Sequence, residues 1–245
     1  MYAFILAAGI GSRLGKYTYT TPKPMLRYKG KPLLQHNIEN CVRAGIKDII
    51  INLHHYPEVI TDYFGNGSHL GARIQYLRET NLLGTSGGVK NASNIIKGSD
   101  FIVVYGDNYF QDDFQDIIPQ ITSSNSNFLV CSYTSDTTTN GGLVLLNKRG
   151  LISNFVEKPI EGVSVGSFIN AGLYKLNRSI FRYIPQGFSD FAKDIFPKLI
   201  ESGEEIGHFS LSNTVKAFDT PELYKSMDKK TSCKAVFLEI GRAHV

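Results

Sequence analysis

Short apolar runs alternate with longer amphipathic stretches along this chain. Residues 3–8 read as a buried strand that stops at Gly9-Ile10-Gly11. Pro32 opens a helix that runs to Ala44, where Gly45 ends it. The next strand spans 48–53, and a short helix over 58–64 closes in the turn Gly65-Asn66-Gly67-Ser68. A third strand covers 73–78 and leads into a Gly-rich loop, 79–88, then a helix to Ile96. Residues 101–105 form a strongly apolar strand ending in Gly106-Asp107-Asn108, and Asp112, Asp113 and Asp116 mark a helix start with its solvated face.

The second half has shorter periods. Strands are expected over 127–133, 142–147 and 151–157, the last two joined by the turn Lys148-Arg149-Gly150 as a hairpin. Residues 190–201 read as a helix with Phe191, Ile195 and Leu199 on one face. Strands over 206–211 and 214–218 follow, then a helix with Thr220 as N-cap. Together these predict an α/β fold: a mixed, mainly parallel central sheet flanked by helices, more antiparallel in its second half.

Composition narrows the class. The 245 residues fit one domain; 42% hydrophobic and 20% charged residues are those of a soluble globular chain. The net charge of +4 is mild and suits anionic phosphates or simple solvation, without a basic run of the nucleic-acid kind. Cys41, Cys131 and Cys233 lie far apart, which excludes a disulfide framework and suggests a reducing, cytoplasmic setting. The N-terminus lacks a charged signal region, and no apolar run reaches membrane-spanning length. Residues 239–245 read as translated adapter sequence rather than native chain, so no role is expected there.

The opening loop carries the clearest chemistry. Gly9-Ile10-Gly11 can bare backbone N–H groups toward phosphate oxygens. Arg13 adds a forked cation, and Pro22 and Pro24 stiffen the backbone around Lys23. The dinucleotide fingerprint is not met, because its third glycine would fall at Leu14. Asp107, at the carboxyl end of a central strand, fits a ligand site or a plain turn. His54 and His55, adjacent at a strand end, point to opposite faces and read as structural.

Leu-Ala-Ala-Gly-Ile-Gly-Ser-Arg-Leu at 6–14, followed by Pro22-Lys23-Pro24, resembles the sugar-1-phosphate nucleotidylyltransferases, nearest to single-domain members that act like mannose-1-phosphate guanylyltransferases. The resemblance runs to about Tyr224, so a nucleotidyltransferase domain over 1–228 with a Rossmann-like fold is expected, and 229–245 lie outside it. It implies an NTP held by Ala8, Gly9, Gly11, Ser12 and Arg13, with Lys23 between the reacting phosphates. It also implies a base seated in the 79–88 loop, Glu79 at the ring edge and Gly84 and Thr85 alongside. A carboxylate only accepts, so guanine with two N–H donors suits Glu79 best, although uracil or thymine can offer one. Gly142, Glu157, Lys158 and Asn170 match the sugar-phosphate elements, the last three within Glu-Lys-Pro and Asn-Ala-Gly-x-Tyr motifs.

Asp107 is implied as a Mg²⁺ ligand, and the second ligand is less regular. The family ends Asp-x-Gly-Thr-Pro-Glu, whereas this chain reads Ala217-Phe218-Asp219-Thr220-Pro221-Glu222. Either Ala217 occupies the metal position, or Asp219 serves it with Gly-Thr deleted; Asp219 is taken as the ligand, against the alternative of a helix-start acid. The implied reaction joins an NTP to a sugar 1-phosphate, with GTP and mannose- or heptose-1-phosphate preferred and thymidylyl, uridylyl and non-catalytic sensor roles as rivals. Arg13, Lys23 and Asp107 would carry catalysis. Neither nucleic acid nor membrane is an expected partner, and a homo-oligomer is left open.

Overall fold

The apolar runs become strands because both faces of the sheet are covered, which favours near-continuous Val/Ile/Phe sequences. The computed structural model describes residues 1–98, 100–134, 142–156 and 166–226. The first half contains β1 (Tyr2–Leu6), β2 (Arg27–Tyr28), β3 (Lys31–Pro32), α1 (Leu33–Arg43), β4 (Asp48–Leu53), α2 (Pro57–Phe64) and β5 (Arg73–Arg78). It continues with α3 (Gly84–Lys90), β6 (Asp100–Tyr105), β7 (Asn108–Tyr109) and α4 (Phe114–Ser123). Then come β8 (Phe128–Thr134), β9 (Leu143–Leu146), β10 (Ile152–Val156), β11 (Phe168–Asn177), α5 (Phe196–Glu201), β12 (Ile206–Ser210) and β13 (Lys216–Ala217).

Among the described residues the main sheet has nine strands. β5, β4, β1 and β6 lie side by side and parallel. β11 runs antiparallel to β6, β8 antiparallel to β11, and β12 parallel to β8. The β9–β10 hairpin joins the sheet where Ile169 of β11 meets Leu143. Side chains alternate across the sheet: Ala3 and Ile5 enter one core with Leu34, Ile38, Ile60, Phe64 and Phe114. Phe4, Phe101 and Val103 enter the other, with Val89, Ile96, Phe191 and Phe196. After β1 the chain builds β4 and β5 on one side, then crosses by α3 to β6 on the other. That reversal opens a crevice at the carboxyl ends of β1 and β6, the general ligand position of such sheets.

Several elements depart from the sequence pattern. The helix expected over 190–201 is a π-turn, Phe191–Ile195, followed by α5; Pro197 in the first turn of α5 lacks the N–H that would continue one ladder. α3 begins inside the Gly-rich loop and stops at Lys90, before the helix-poor Asn91-Ala92-Ser93-Asn94. Of residues 214–218 only Lys216 and Ala217 pair, with Tyr109 and Asn108 of β7. The second half is largely antiparallel, as its pattern suggests, and β12, parallel to β8, is the exception. No helix among the described residues is long and apolar enough to cross a membrane.

Candidate functional site

The loop after β1 folds over Lys23. Gly11 takes a left-handed φ of 68°, and a 3₁₀ stretch, Ser12–Thr18, follows it. Leu14 is buried and holds this stretch down, while the Arg13 side chain stays 61% exposed at the mouth of the crevice. Lys23 begins a short turn, Lys23–Met25, and is only 7% exposed. Its Nζ donates to Asp107 Oδ2 and to Asp219 Oδ1, each at 2.6 Å. The Arg13 guanidinium lies 3.5 Å from the same Asp219 oxygen. Burial works to lower the Lys23 pKa, but the two carboxylates outweigh it and hold the ammonium above its usual range.

Those carboxylates come from distant parts of the chain. Gly106 donates its N–H to the Leu6 carbonyl at 2.9 Å, and a side chain at 106 would meet that oxygen at 2.7 Å. Glycine therefore lets the end of β6 close on β1 and aims Asp107 into the crevice. Ala217 pairs with Asn108 directly beyond it. Phe218 is fully buried with Leu14, Leu26, Tyr28 and Leu33, and Asp219 emerges from this cluster beside Lys23. The carboxylate in the crevice is thus that of Asp219, and Ala217 is a ladder residue. Thr220 behaves as the expected cap: its hydroxyl accepts from Leu223 N at 3.3 Å.

Glu79, Leu82, Gly84, Thr85 and Phe188 line the same cavity, of about 380 Å³. Ala8, Gly9, Gly11, Ser12, Arg13, Lys23, Asp107 and Asp219 line it too, so the residues of the opening loop, the base loop and the acidic pair share one space. Glu79 is 6% exposed. Its Oε1 accepts from Asn52 Nδ2 at 2.7 Å and its Oε2 from Leu83 N at 3.1 Å. Asn52 in turn accepts from Ala7 N at 2.8 Å. Burial raises the Glu79 pKa, with the Asn52 and Leu83 donors and nearby His54 pulling the other way. A side chain at Gly88 would stand 2.6 Å from Glu79 Oε1 and 2.7 Å from Asn52 Nδ2, so α3 packs directly beneath this pair.

Thr85 is committed to the protein. Its N–H and hydroxyl both donate to Asp190 Oδ1 at 3.0 Å, and its oxygen accepts from Phe191 N at 2.9 Å. Sequence reading missed Asn52, Tyr105, Phe188 and Asp190 as lining residues. Asn52 had a signal, a carboxamide inside the apolar run of β4; the carboxylate of Asp190, at the N-cap of the turn Phe191–Ile195, reaches across to Thr85 at the start of α3.

Gly142 and Asn170 meet each other, Asn170 N donating to the Gly142 carbonyl at 2.9 Å, but neither lines the cavity. Asn170 Nδ2 donates to Tyr174 at 2.8 Å, and Tyr174 donates to Tyr105 at 3.2 Å. Tyr105 is cavity-lining, and burial pushes its pKa up to about 12. Glu157 and Lys158 lie outside the described residues. His54 meets the Glu79 carbonyl and His55 the Thr18 carbonyl, both structural contacts. No cluster of three or more His, Cys, Asp or Glu suited to a metal occurs among the described residues.

The family model described as Nucleotidyl transferase matches residues 2–215. The UTP–glucose-1-phosphate uridylyltransferase of Synechocystis sp. is 32% identical over 225 residues, 83% of this chain and 56% of that protein. The mannose-1-phosphate guanyltransferase of Debaryomyces hansenii is 32% identical over 209 residues, 83% of this chain and 57% of the relative. The chain thus spans a little over half the length of these two relatives. The structure of HddC from Yersinia pseudotuberculosis complexed with GMP-PN is similar at a TM-score of 0.80 and 28% identity, across 94% of this chain and 98% of that one.

Proposed function

The chain belongs to the nucleotidyl transferase family, and from that premise we propose that it joins an NTP to a sugar 1-phosphate, releasing pyrophosphate. The observation that carries this reading is the Lys23 ammonium held between Asp107 and Asp219 in the crevice that Arg13 and the Gly9–Ser12 backbone also line.

In the reaction a phosphate oxygen of the sugar 1-phosphate forms a bond to the α-phosphorus, and the bond from that phosphorus to the bridging oxygen of pyrophosphate breaks. The nucleophile is already anionic, since a phosphate monoester loses its second proton near pH ~6. No general base is required. Alignment and charge neutralisation do the catalytic work. Arg13 and the loop N–H groups hold the departing pyrophosphate, and Lys23 bridges the two phosphates as they approach. Glu79, fixed by Asn52 and Leu83, retains a free lone pair on each oxygen for N–H donors of the base. Gly142, Glu157, Lys158 and Asn170 are proposed for the sugar phosphate on the match of their motifs alone.

The acidic pair suits a divalent cation. Asp107 Oδ2 and Asp219 Oδ1 aim at one point, each 2.6 Å from Lys23 Nζ, and Mg²⁺ takes one or two carboxylates beside phosphate oxygens and water. Bound there, Mg²⁺ would neutralise charge at the α-phosphate. Lys23 would then turn its ammonium from the carboxylates toward the phosphates.

The preferred pair is GTP with mannose- or heptose-1-phosphate. Supporting it are the two acceptor oxygens of Glu79, the guanyltransferase relative and the GMP-PN complex of the Yersinia protein. The uridylyltransferase relative keeps UTP with glucose-1-phosphate as the second reading. A panel of four NTPs against several sugar 1-phosphates, read as Mg²⁺-dependent pyrophosphate release, tests both. Release only when both substrates are present, fastest with GTP, is the expected result. Preference for UTP or dTTP moves the base assignment, and nucleotide binding without turnover makes the protein a sensor.

A further inference from the structure

We propose that Phe188 is the wall on which the base of the nucleotide stacks, and that it sets affinity for the NTP but not for the sugar phosphate; this rests on the nucleotidyl-transfer reading of the crevice. Phe188 is 65% exposed, yet it lines the cavity that holds Lys23 and Glu79. Such an apolar ring is normally covered. Phe191 and Phe196, a few residues on, stack on each other at 5.4 Å, whereas among the described residues Phe188 pairs with no other ring.

The ring is exposed but its backbone is held. Ser189 N donates to the Leu83 carbonyl at 2.9 Å, and the Ser189 carbonyl accepts from Ser86 N at 3.0 Å and Gly87 N at 3.2 Å. The two serine hydroxyls meet at 2.8 Å, and Asp190 binds Thr85. The carbonyls of Gly187 and Ser189 approach so closely that a side chain at Gly87 or Gly84 would stand 2.3 or 2.4 Å from them. The turn carrying Phe188 is therefore bolted to the turn whose Leu83 N–H fixes Glu79.

Two groups of contacts share the cavity. Arg13, Lys23, Asp107 and Asp219 hold one another in a single ion-pair group, where phosphates and a cation belong. Phe188 is tied to Glu79 instead: its neighbour Ser189 donates to the Leu83 carbonyl, and Leu83 N donates to Glu79, whose carboxylate only accepts. A flat ring edged with N–H donors suits that pair: its face meets Phe188 and its edge meets Glu79. Stacking of a base on an aromatic side chain is strong enough for about a tenfold effect on affinity when the ring is removed.

The chain contains no tryptophan, so Phe188→Trp would introduce a single fluorescent reporter at the wall. The expected result is quenching by GTP and by guanosine alone, with no response to pyrophosphate or mannose 1-phosphate. In parallel, Phe188→Ala raises the KM for the NTP about tenfold and leaves the KM for the sugar 1-phosphate unchanged, and Phe188→Tyr restores the NTP value. Fluorescence that answers to the sugar phosphate and not to any of the four NTPs, or an unchanged NTP KM in Phe188→Ala, overturns the inference. Absence of pyrophosphate release by the wild type with every substrate pair overturns the nucleotidyl-transfer reading instead, while the nucleoside titration still reports on the wall.

Discussion

Lys23 is buried with its ammonium held between Asp107 and Asp219, which outweigh the burial and keep its pKa above the usual range. In the proposed reaction that charge is needed between two polyanions. Lys23→Ala is therefore expected to lower kcat by about 10²–10³-fold, as loss of one preorganised donor to a transition state does elsewhere. Pyrophosphate release measures the effect, with circular dichroism confirming the fold; near-normal turnover would remove Lys23 from the mechanism. Glu79 gives a prediction of a different kind. Its raised pKa means that the folded protein holds the proton more tightly than the unfolded chain. Its contribution to stability is then greatest below the ordinary Glu value of about 4.3 and is lost as pH rises through the folded value. Urea midpoints across pH should show the wild type losing stability relative to Glu79→Gln as pH increases from about 4. A difference that grows in the opposite sense would contradict the burial argument.

At the scale of elements, α3 packs directly under the Glu79–Asn52 pair, where the base is proposed to sit. Its glycines are placed by contact: position 88 faces the Glu79–Asn52 pair, and a methyl group there must displace one of them. Gly88→Ala should cost about 1–3 kcal/mol of stability, as overpacking does. It should also raise the KM for the NTP with the sugar-phosphate KM unchanged. Thermal melts and steady-state kinetics give both numbers; an unperturbed NTP KM would mean that Glu79 has no part in holding the base. The break of the 190–201 segment into a π-turn and α5 belongs to this scale too. Asp190 caps that turn with its carbonyl, which accepts from Asp194 N and Ile195 N, and gives its carboxylate to Thr85 at the start of α3.

Across the whole molecule, the acidic pair depends on a small third core. Leu14 of the opening loop, Leu26 and Tyr28 of the following turn and hairpin, Leu33 of α1 and Phe218 pack together and draw Asp219 beside a lysine 196 positions earlier. Tyr28 and Phe218 lie 5.2 Å apart, ring centre to ring centre. Phe218→Ala should destabilise the protein by about 3–5 kcal/mol. Activity should fall further than the folded fraction, because Asp219 loses its anchor. Denaturant titration alongside pyrophosphate release tests this; activity that tracks the folded fraction alone would show that Asp219 is positioned by other means.

Much of this was legible from the residues alone. The strand and helix runs followed from apolar periodicity, since a sheet covered on both faces demands continuous Ile, Val and Phe. The opening loop pointed to phosphate chemistry because glycines, an arginine and a proline-flanked lysine suit a polyanion, and the structure brings Gly9, Gly11, Arg13 and Lys23 to one cavity. The sheet order, the parallel placement of β12 and the pairing of β13 with β7 were decided in three dimensions, where register depends on partners far along the chain. So were the contacts of Asn52, Asp190 and Phe188, whose types are common in loops and acquire meaning only from what lies opposite. That Asp219 lines the crevice while Ala217 sits in a ladder was decided in the same way. Spacing left the two side by side, and only the burial of Phe218 turned the carboxylate of Asp219 toward Lys23.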